Sequence, residues 1–293
     1  MTRVFTGKIV KSLLIDTNPR LKEVFAKTAG VPPKHVHITP LYREEGERVR
    51  CLYSHAVEDY RGHSGGGWRV EKVVLENGLY RFYTGFVEGD APGTLRFEDV
   101  YNTLLNISGT HRFSEHVIKA ELASISVVDV ASLARSAVRE LVEGSGRVRI
   151  VFASPTLLRD PLRTSKHKSL VPTPLNIFST PVYILHHLSG KGLERGRVVK
   201  TLLALHRLLN EPHSYLKTVM RKWIVYEKHK NPIPALIGYV NLHLNETYFE
   251  QYSKISNIEE MLEKTLTITT ALGTGTSRAT GFGHVTIEPV RKT

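Results

Sequence analysis

The chain has 293 residues, of which 41% are hydrophobic and 23% are charged, as is typical of a globular protein with one large or two modest domains. No stretch approaches the roughly 18 apolar residues of a membrane helix, and the first residues lack an apolar leader. We therefore expect no membrane span, no secretory signal and a cytoplasmic location. The single cysteine, Cys51, excludes a disulfide within the chain and a cysteine-rich zinc site.

The formal charge of +12 predicts a surface that attracts polyanions, among which nucleic acids are the commonest partners. Two basic stretches in the second half, residues 159–168 and 217–230, each contain one acidic residue. Either stretch by itself is explained equally well by an ordinary solvated surface. Two such stretches in one half of a basic chain favour a binding face.

The first half of the chain predicts a ferredoxin-like order of strands and helices. Strands are predicted at residues 4–15, 35–42, 49–53, 68–75, 80–87 and 117–128, with helices at 18–29 and 97–105. Asn77-Gly78 predicts a tight hairpin between the fourth and fifth strands. The resulting order is β-α-β-β-α-β with one additional hairpin.

The second half predicts a further α+β domain with more helix. A helix at residues 131–142 runs into Glu143-Gly144-Ser145-Gly146, which predicts a domain boundary and hence domains at 1–143 and 147–293. Strands are predicted at 147–153, 235–244 and 283–290, and helices at 175–188, 197–209, 215–226 and 258–270.

A glycine-rich segment at residues 272–285 contains two Gly-x-Gly pairs separated by five residues. Such a backbone can adopt positive φ and lets an anion approach its N–H groups. A dinucleotide-binding loop is excluded because the predicted helix precedes the segment and the predicted strand follows it, and a Walker loop is excluded because no Gly-Lys-Ser/Thr is present. Two interpretations stay open, an anion-binding loop and a turn that merely connects helix to strand.

The glycine segment resembles the C-terminal signature of the CRISPR-associated endoribonucleases that cut precursor CRISPR RNA, members of the RAMP superfamily. Phe282 and Arg278 fit the hydrophobic and basic positions of that signature, whereas Thr274 departs from its usual aliphatic residue. Residues 150–158, with the sequence IVFASPTLL, resemble the segment that opens the C-terminal domain of the same family. Residues 36–42 give a weaker third match.

This resemblance implies two tandem ferredoxin-like domains, RRM-like in topology, and a metal-independent endoribonuclease without a cofactor. It implies binding of CRISPR repeat RNA and cleavage by 2′-hydroxyl attack, which leaves a 2′,3′-cyclic phosphate and a 5′-hydroxyl. The implied partners are precursor CRISPR RNA and other proteins of a CRISPR effector complex, with a homodimer as a further expectation. The alternative is an RNA-binding paralogue, or a structural subunit of such a complex, that does not cleave.

The catalytic residues are the least determined part of the prediction, because the chain contains 14 histidines. Family members often carry a histidine near the end of the first helix, but residues 26–29 have none. The nearest substitutes are Lys34, His35 and His37, and alternation places the two histidines on one polar side of a strand. The alternative for these two histidines is a polar strand face without chemistry. A second set of candidates is His55, Tyr60 and His63, in a glycine-rich loop.

The RNA-binding prediction combines the glycine segment with the first basic stretch. His167 lies between Lys166 and Lys168 and is interpreted as a phosphate contact. The predicted RNA-binding residues are Gly273, Gly275, Arg278, Gly281, Gly283, Arg163, Lys166, His167 and Lys168.

Overall fold

The computed structural model describes residues 5–26, 34–46, 48–59, 67–89, 94–113, 116–163, 168–190, 194–211, 215–226, 231–254 and 256–290. Its helices are α1 (Thr6–Thr17), α2 (Leu21–Phe25), α3 (Phe97–Leu105), α4 (Val130–Val142), α5 (Pro174–Leu188), α6 (Arg195–Leu208), α7 (Tyr215–Thr218), α8 (Glu246–Tyr252) and α9 (Ile258–Leu272). Its strands are β1 (Val36–Ile38), β2 (Tyr42–Glu45), β3 (Arg48–Cys51), β4 (His55–Asp59), β5 (Gly67–Glu71), β6 (Tyr80–Arg81), β7 (Thr84–Phe86), β8 (Gly109–Phe113), β9 (His116–Ala120), β10 (Arg147–Thr156), β11 (Leu209–Asn210), β12 (Val219–Ile224), β13 (Ile233–Leu244) and β14 (Val285–Pro289).

The chain divides into two compact units. Unit 1 comprises Met1–Val128, Trp223–Ile233 and Ala279–Gly281, and unit 2 comprises Asp129–Lys222, Pro234–Arg278 and Phe282–Thr293. The sequence placed the boundary at residues 143–147 instead. Helix α4 belongs to unit 2 because its apolar side, with Ala134, Ala137 and Leu141 almost fully buried, packs into the core of that unit.

Unit 1 is built on helix α1, where the sequence predicted a strand. Ile9, Val10, Leu13 and Leu14 are buried together, and this spacing of three and four residues is that of one side of a helix. They form a core with Phe25 of α2 and with Val36 and Ile38 of β1. The predictions of α2 and of α3 at residues 97–105 are confirmed.

The described strands of unit 1 form short antiparallel pairs. Strand β1 pairs with β7, β2 pairs with both β3 and β6, and β8 pairs with β9. Strand β4 pairs with β5 and with the last two residues of β12, Trp223 and Ile224. The hairpin predicted at Asn77-Gly78 is wrong, because β5 and β6 bond to β4 and β2 and not to each other.

Unit 2 contains a sheet in the order β14-β10-β13-β12, with β10 antiparallel to both of its neighbours. Helices α5 and α6 lie in sequence between β10 and β12, and α9 lies between β13 and β14. This order and these crossovers are those of a ferredoxin-like βαββαβ unit. One side of the sheet is buried, with Val148, Ile150 and Phe152 at most 3% exposed among residues of α4, α5 and α9.

The predicted helix at residues 215–226 is wrong beyond its first turn. Helix α7 ends at Thr218, and the chain continues as strand β12. Trp223 pairs with Ala56, a residue far away in the sequence, so the pattern within the segment could not reveal the pairing. Helix α8 was not predicted.

Candidate nucleic-acid interface

The four glycines of the segment that follows α9 all have positive φ, as the sequence predicted. Their φ values are 70° for Gly273, 72° for Gly275, 105° for Gly281 and 79° for Gly283. Gly273 caps the end of α9, and its N–H donates to Thr269 O at 2.9 Å. We refer to residues 273–283 as the glycine loop.

A Cβ on Gly275, Gly281 or Gly283 would meet other atoms of this chain. A Cβ on Gly275 would overlap the carbonyl oxygen of Leu157, and a Cβ on Gly283 would overlap that of Thr274. Gly281 belongs to unit 1, where a Cβ would lie 2.9 Å from Phe5 Cε1. The close approach that requires glycine is therefore an approach between segments of this chain.

Several N–H groups of the loop are also bound internally. Thr274 donates to Gly283 O at 2.8 Å, and Gly283 donates to Pro155 O at 3.0 Å. Thr276 donates to Leu157 O at 2.9 Å. Because these three groups have protein acceptors, they are not available to a phosphate. For this part of the segment the structure favours the connecting turn over the anion-binding loop.

His284, directly after the loop, attaches it to the end of β10. The backbone N–H of His284 donates to Ser154 Oγ at 2.9 Å, and Ser154 N–H donates to His284 O at 3.2 Å. The imidazole is buried, and burial lowers its pKa from 6.5 to about 4. His284 is therefore held neutral at physiological pH.

Arg278, one of the predicted RNA-binding residues, is buried. The residue is only 4% exposed, and its guanidinium donates to Leu272 O at 2.6 Å, at the C-terminus of α9. Burial lowers its pKa to about 10. A cation at this end of a helix stabilises the terminal carbonyl groups, so the charge acts inside unit 2.

Lys168 brings the first basic stretch into contact with the glycine loop. Its ammonium group donates to Thr276 Oγ1 at 2.7 Å, and the residue is half-buried. Burial lowers its pKa, and the charge of Arg159 lowers it further. A lysine has three N–H donors, and Thr276 is the acceptor of one of them among the described residues. We call Lys168, Arg159 and Thr276 the Lys168 cluster.

The other residues of the first basic stretch are arranged differently. Arg163 is exposed over 79% of its side chain and lies 3.1 Å from Asp160 in an ion pair. Lys166 and His167 lie outside the described residues. Of the RNA-binding residues predicted for this stretch, the structure brings Lys168 to the glycine loop.

The two histidines predicted to be catalytic are not on an open polar surface. His35, which precedes β1, is 6% exposed, and His37 is 1% exposed within β1, where every residue is buried. Alternate residues of a strand point to opposite sides, so this rule places the two histidines on the same side. The rule does not predict that both sides of the strand are covered.

Lys34 is the most accessible of the three predicted catalytic residues. Its ammonium group donates to Val24 O at 2.7 Å and also to Ala26 O. Burial lowers the pKa of Lys34 to about 8, with a smaller contribution from the charge of Lys11. In the second set, His55 Nε2 lies 3.0 Å from Glu71 Oε2. Tyr60 and His63 lie outside the described residues.

Comparison with known proteins shows the fold. No protein-family model and no curated protein matches the chain in sequence. A solved Cas6 product complex is similar with a TM-score of 0.55 and 14% identity, covering 98% of this chain and 92% of that one. The chain has the Cas6 fold.

Two further structures agree with this result. Thermus thermophilus Cas6 is similar with a TM-score of 0.50 and 14% identity, covering 97% of this chain and 90% of that one. A chain of a partial Cas6-RT-Cas1–Cas2 complex gives a TM-score of 0.51 at 12% identity, covering all of this chain and 44% of the larger one. The prediction of an α+β fold with tandem ferredoxin-like domains is therefore confirmed.

None of the described helices is both long and apolar enough to cross a membrane. Among the same residues, His, Cys, Asp and Glu side chains do not form a group of three that could hold a metal ion.

Sequence reasoning missed part of the Lys168 cluster. It did not assign Thr276 a role, and it counted Arg159 only as a member of a basic stretch. The structure joins residues 150–158 to residues 272–285 by hydrogen bonds. The family resemblance that both motifs share was the signal in the sequence that could have pointed to this region.

Proposed function

We propose that this chain is a Cas6-type protein that binds precursor CRISPR RNA and cleaves it into guide units. The observation that carries the proposal is the Cas6 fold over nearly the whole chain. The net charge of +12 supports a polyanionic partner. A cytoplasmic location, association with other CRISPR proteins and a homodimer stay predictions that accompany this proposal.

The Lys168 cluster is the proposed phosphate contact. Lys168 is fixed by its hydrogen bond to Thr276, and the nearby charge of Arg159 makes the cluster doubly positive. A phosphate placed there would accept hydrogen bonds from Lys168 and would relieve the repulsion between the two cations. Such contacts position an RNA without reading its sequence.

The proposed reaction is a transesterification within the RNA. The 2′-oxygen forms a bond to the adjacent phosphorus while the bond from phosphorus to the 5′-oxygen breaks. A base takes the 2′-hydroxyl proton and an acid protonates the leaving 5′-oxygen. Among the three predicted catalytic residues, Lys34 fits the role of the base, because a lysine with a pKa of about 8 is partly neutral near physiological pH.

The burial of His35 and His37 favours a second candidate function. A protein that lacks accessible histidines at the predicted position could bind repeat RNA without cutting it, as a paralogue or as a structural subunit of an effector complex. The two candidates agree on RNA binding and differ only in chemistry.

One experiment separates them. The purified protein is incubated in EDTA with end-labelled CRISPR repeat RNA, and with the same RNA carrying a 2′-deoxy substitution at the nucleotide 5′ of the cut. We expect cleavage of the first RNA to a 2′,3′-cyclic phosphate, and binding without cleavage of the second. Binding of both without cleavage selects the non-catalytic function. Activity that requires magnesium contradicts the proposed mechanism.

A further inference from the structure

The sheet of unit 2 has a second side, which is polar and partly exposed. Along this part of β10 and β13, the residues that alternate with the buried core residues are Arg147, Arg149, Val151, Tyr239, Asn241 and His243. Arg147 is opposite His243 and Arg149 is opposite Asn241, so these side chains form one patch on the two central strands. We call this patch the outer sheet face.

Arg149 and Tyr239 form the centre of the outer sheet face. The guanidinium carbon of Arg149 lies 4.2 Å from the centroid of the Tyr239 ring. Arg149 Nε donates to Asn241 Oδ1 at 3.1 Å, and one terminal nitrogen lies 3.9 Å from Glu288 Oε2. The guanidinium is thus held over the ring from two sides, yet 34% of the side chain stays exposed.

The surroundings of this pair favour an anionic partner with hydrogen-bonding groups. Arg147 is exposed at the end of the patch, so its charge and that of Arg149 exceed the single charge of Glu288. His243 is half-buried beside Arg147, and burial followed by the Arg147 charge lowers its pKa. A neutral imidazole and an amide both donate and accept hydrogen bonds, as the edges of RNA bases do.

We propose that the outer sheet face binds an unpaired nucleotide of single-stranded RNA, whose base stacks on the guanidinium of Arg149 where Tyr239 supports it. The inference rests on the proposed RNA-binding function and adds a site separate from the Lys168 cluster. Unpaired bases stack on aromatic rings and on arginine planes, and the central strands of an RRM-type sheet carry such residues. Asn241 and His243 lie where they can contact the edge of the base, and Arg147 can contact its phosphate.

The test uses the full chain and a short, fluorescein-labelled oligoadenylate, with affinity measured by fluorescence anisotropy. Replacing Tyr239→Leu removes the ring, and we expect binding to weaken at least about fivefold without a change in the salt slope. Arg149→Ala should also weaken binding, because the plane on which the base stacks is lost, whereas Arg147→Ala should flatten the log-log salt slope by about 0.7, because one phosphate contact is lost. Tyr239→Phe keeps the ring and should bind like the unmodified protein.

The matched control is Arg135→Ala. Arg135 lies on α4 and is paired with Glu263 at 3.5 Å, so this variant also loses one charge and one ion pair. We expect its affinity to stay within about twofold of the unmodified protein, since isolated surface ion pairs contribute little. The melting temperatures of all variants are measured to detect unfolding. If Tyr239→Leu destabilises the sheet, the affinity of Arg149→Ala still tests the site.

The outcomes separate this inference from the proposed function. The unmodified protein could bind repeat RNA while the Arg149→Ala and Tyr239→Leu variants bind oligoadenylate as tightly as Arg135→Ala does. That result overturns the outer sheet face as a binding site. Unmodified protein that binds repeat RNA but not oligoadenylate overturns it as well. Unmodified protein that binds neither RNA overturns the proposed function together with this inference.

Discussion

The ammonium group of Lys168 donates a hydrogen bond of 2.7 Å to the hydroxyl of Thr276. The two residues are 108 positions apart, and each belongs to a segment for which the sequence predicted RNA binding. Their contact brings the two segments together in unit 2, where we propose a phosphate contact. Its electrostatic role can be tested directly.

Replacing Lys168→Ala is expected to weaken binding of repeat RNA and to flatten the log-log salt dependence by about 0.7, because one phosphate contact is lost. The control is Lys264→Ala, which removes an exposed lysine paired with Glu260 on α9. Affinity is measured by filter binding over a range of salt concentrations. Equal salt slopes for the two variants would contradict a phosphate contact at Lys168.

The glycines of the loop are expected to act on stability. Gly146→Ala is the control, because Gly146 has a φ of 70° and open space around its Cβ position, so the variant should cost only about 1 kcal/mol. Gly275 has a similar φ of 72°, but a Cβ there would also overlap Leu157 O. Gly275→Ala should therefore lower the free energy of unfolding by about 1–3 kcal/mol more than Gly146→Ala does. Urea denaturation measures both.

RNA affinity distinguishes stability from binding in the same glycine variants. If the glycines serve only the approach of backbone segments, folded Gly275→Ala protein that keeps Lys168 in place should bind RNA nearly as the unmodified protein does. A loss of affinity at unchanged stability would restore direct RNA contact as their role. Gly281→Ala is expected to destabilise too, since its Cβ would lie 2.9 Å from Gly7 Cα.

Lys34 gives the reaction a predictable pH dependence. A base must be neutral, so the cleavage rate should rise with pH and level off above the Lys34 pKa of about 8. Lys34→Arg should lower the rate on the order of 10²-fold, because arginine cannot release its proton. Single-turnover rates in EDTA measure the effect.

Lys11 offers a diagnostic for the same assignment. Its charge contributes to the lowered pKa of Lys34, after the larger effect of burial. Lys11→Gln should therefore move the midpoint of the pH profile to higher pH while cleavage persists. Lys34 would be excluded as the base if the midpoint of the pH profile did not move in Lys11→Gln. It would also be excluded if Lys34→Arg cleaved as fast as the unmodified protein.

His284 should make the protein less stable in mild acid. Its pKa is lowered from 6.5 to about 4, so between these values the unfolded chain binds a proton that the folded protein does not. The free energy of unfolding is unaffected by this group above about pH 6.5 and decreases as pH falls towards 4, by up to about 3 kcal/mol. Urea unfolding at several pH values measures the slope.

The control for this prediction is His187→Gln, at a half-exposed position on α5. His284→Gln should have a shallower dependence on pH than the unmodified protein, whereas His187→Gln should follow the unmodified protein. Parallel curves for all three proteins would show that burial of His284 does not govern acid stability.

The fold was predictable where local pattern decided it. Helices α4, α5, α6 and α9 and strands β10 and β13 follow from apolar spacing within each segment. Helix α1 was mistaken for a strand because residues 9–15 contain two short apolar runs, and helix and strand periodicities are hard to separate over so few residues. Strand β12 depends on pairing with β4, a non-local contact that its own residues do not encode.

The site was less predictable, because burial depends on tertiary packing. Positive φ at the glycines followed from residue type. No local pattern showed that Arg278 would bond to Leu272 inside unit 2, or that His35 and His37 would be covered on both sides of β1. Contacts across more than one hundred residues, such as that of Lys168 with Thr276, could not be predicted from either segment by itself.

The internal hydrogen bonds of the glycine loop have a consequence for deuterium uptake. Glycine-rich loops ordinarily exchange their amide protons quickly, since local opening costs little there. Here the amides of Thr274, Thr276 and Gly283 donate to carbonyl oxygens, and the amide of His284 donates to a serine hydroxyl. These amides should take up deuterium as slowly as those of the adjoining strands. We therefore expect these residues to be as rigid in solution as the sheet, although the segment is rich in glycine.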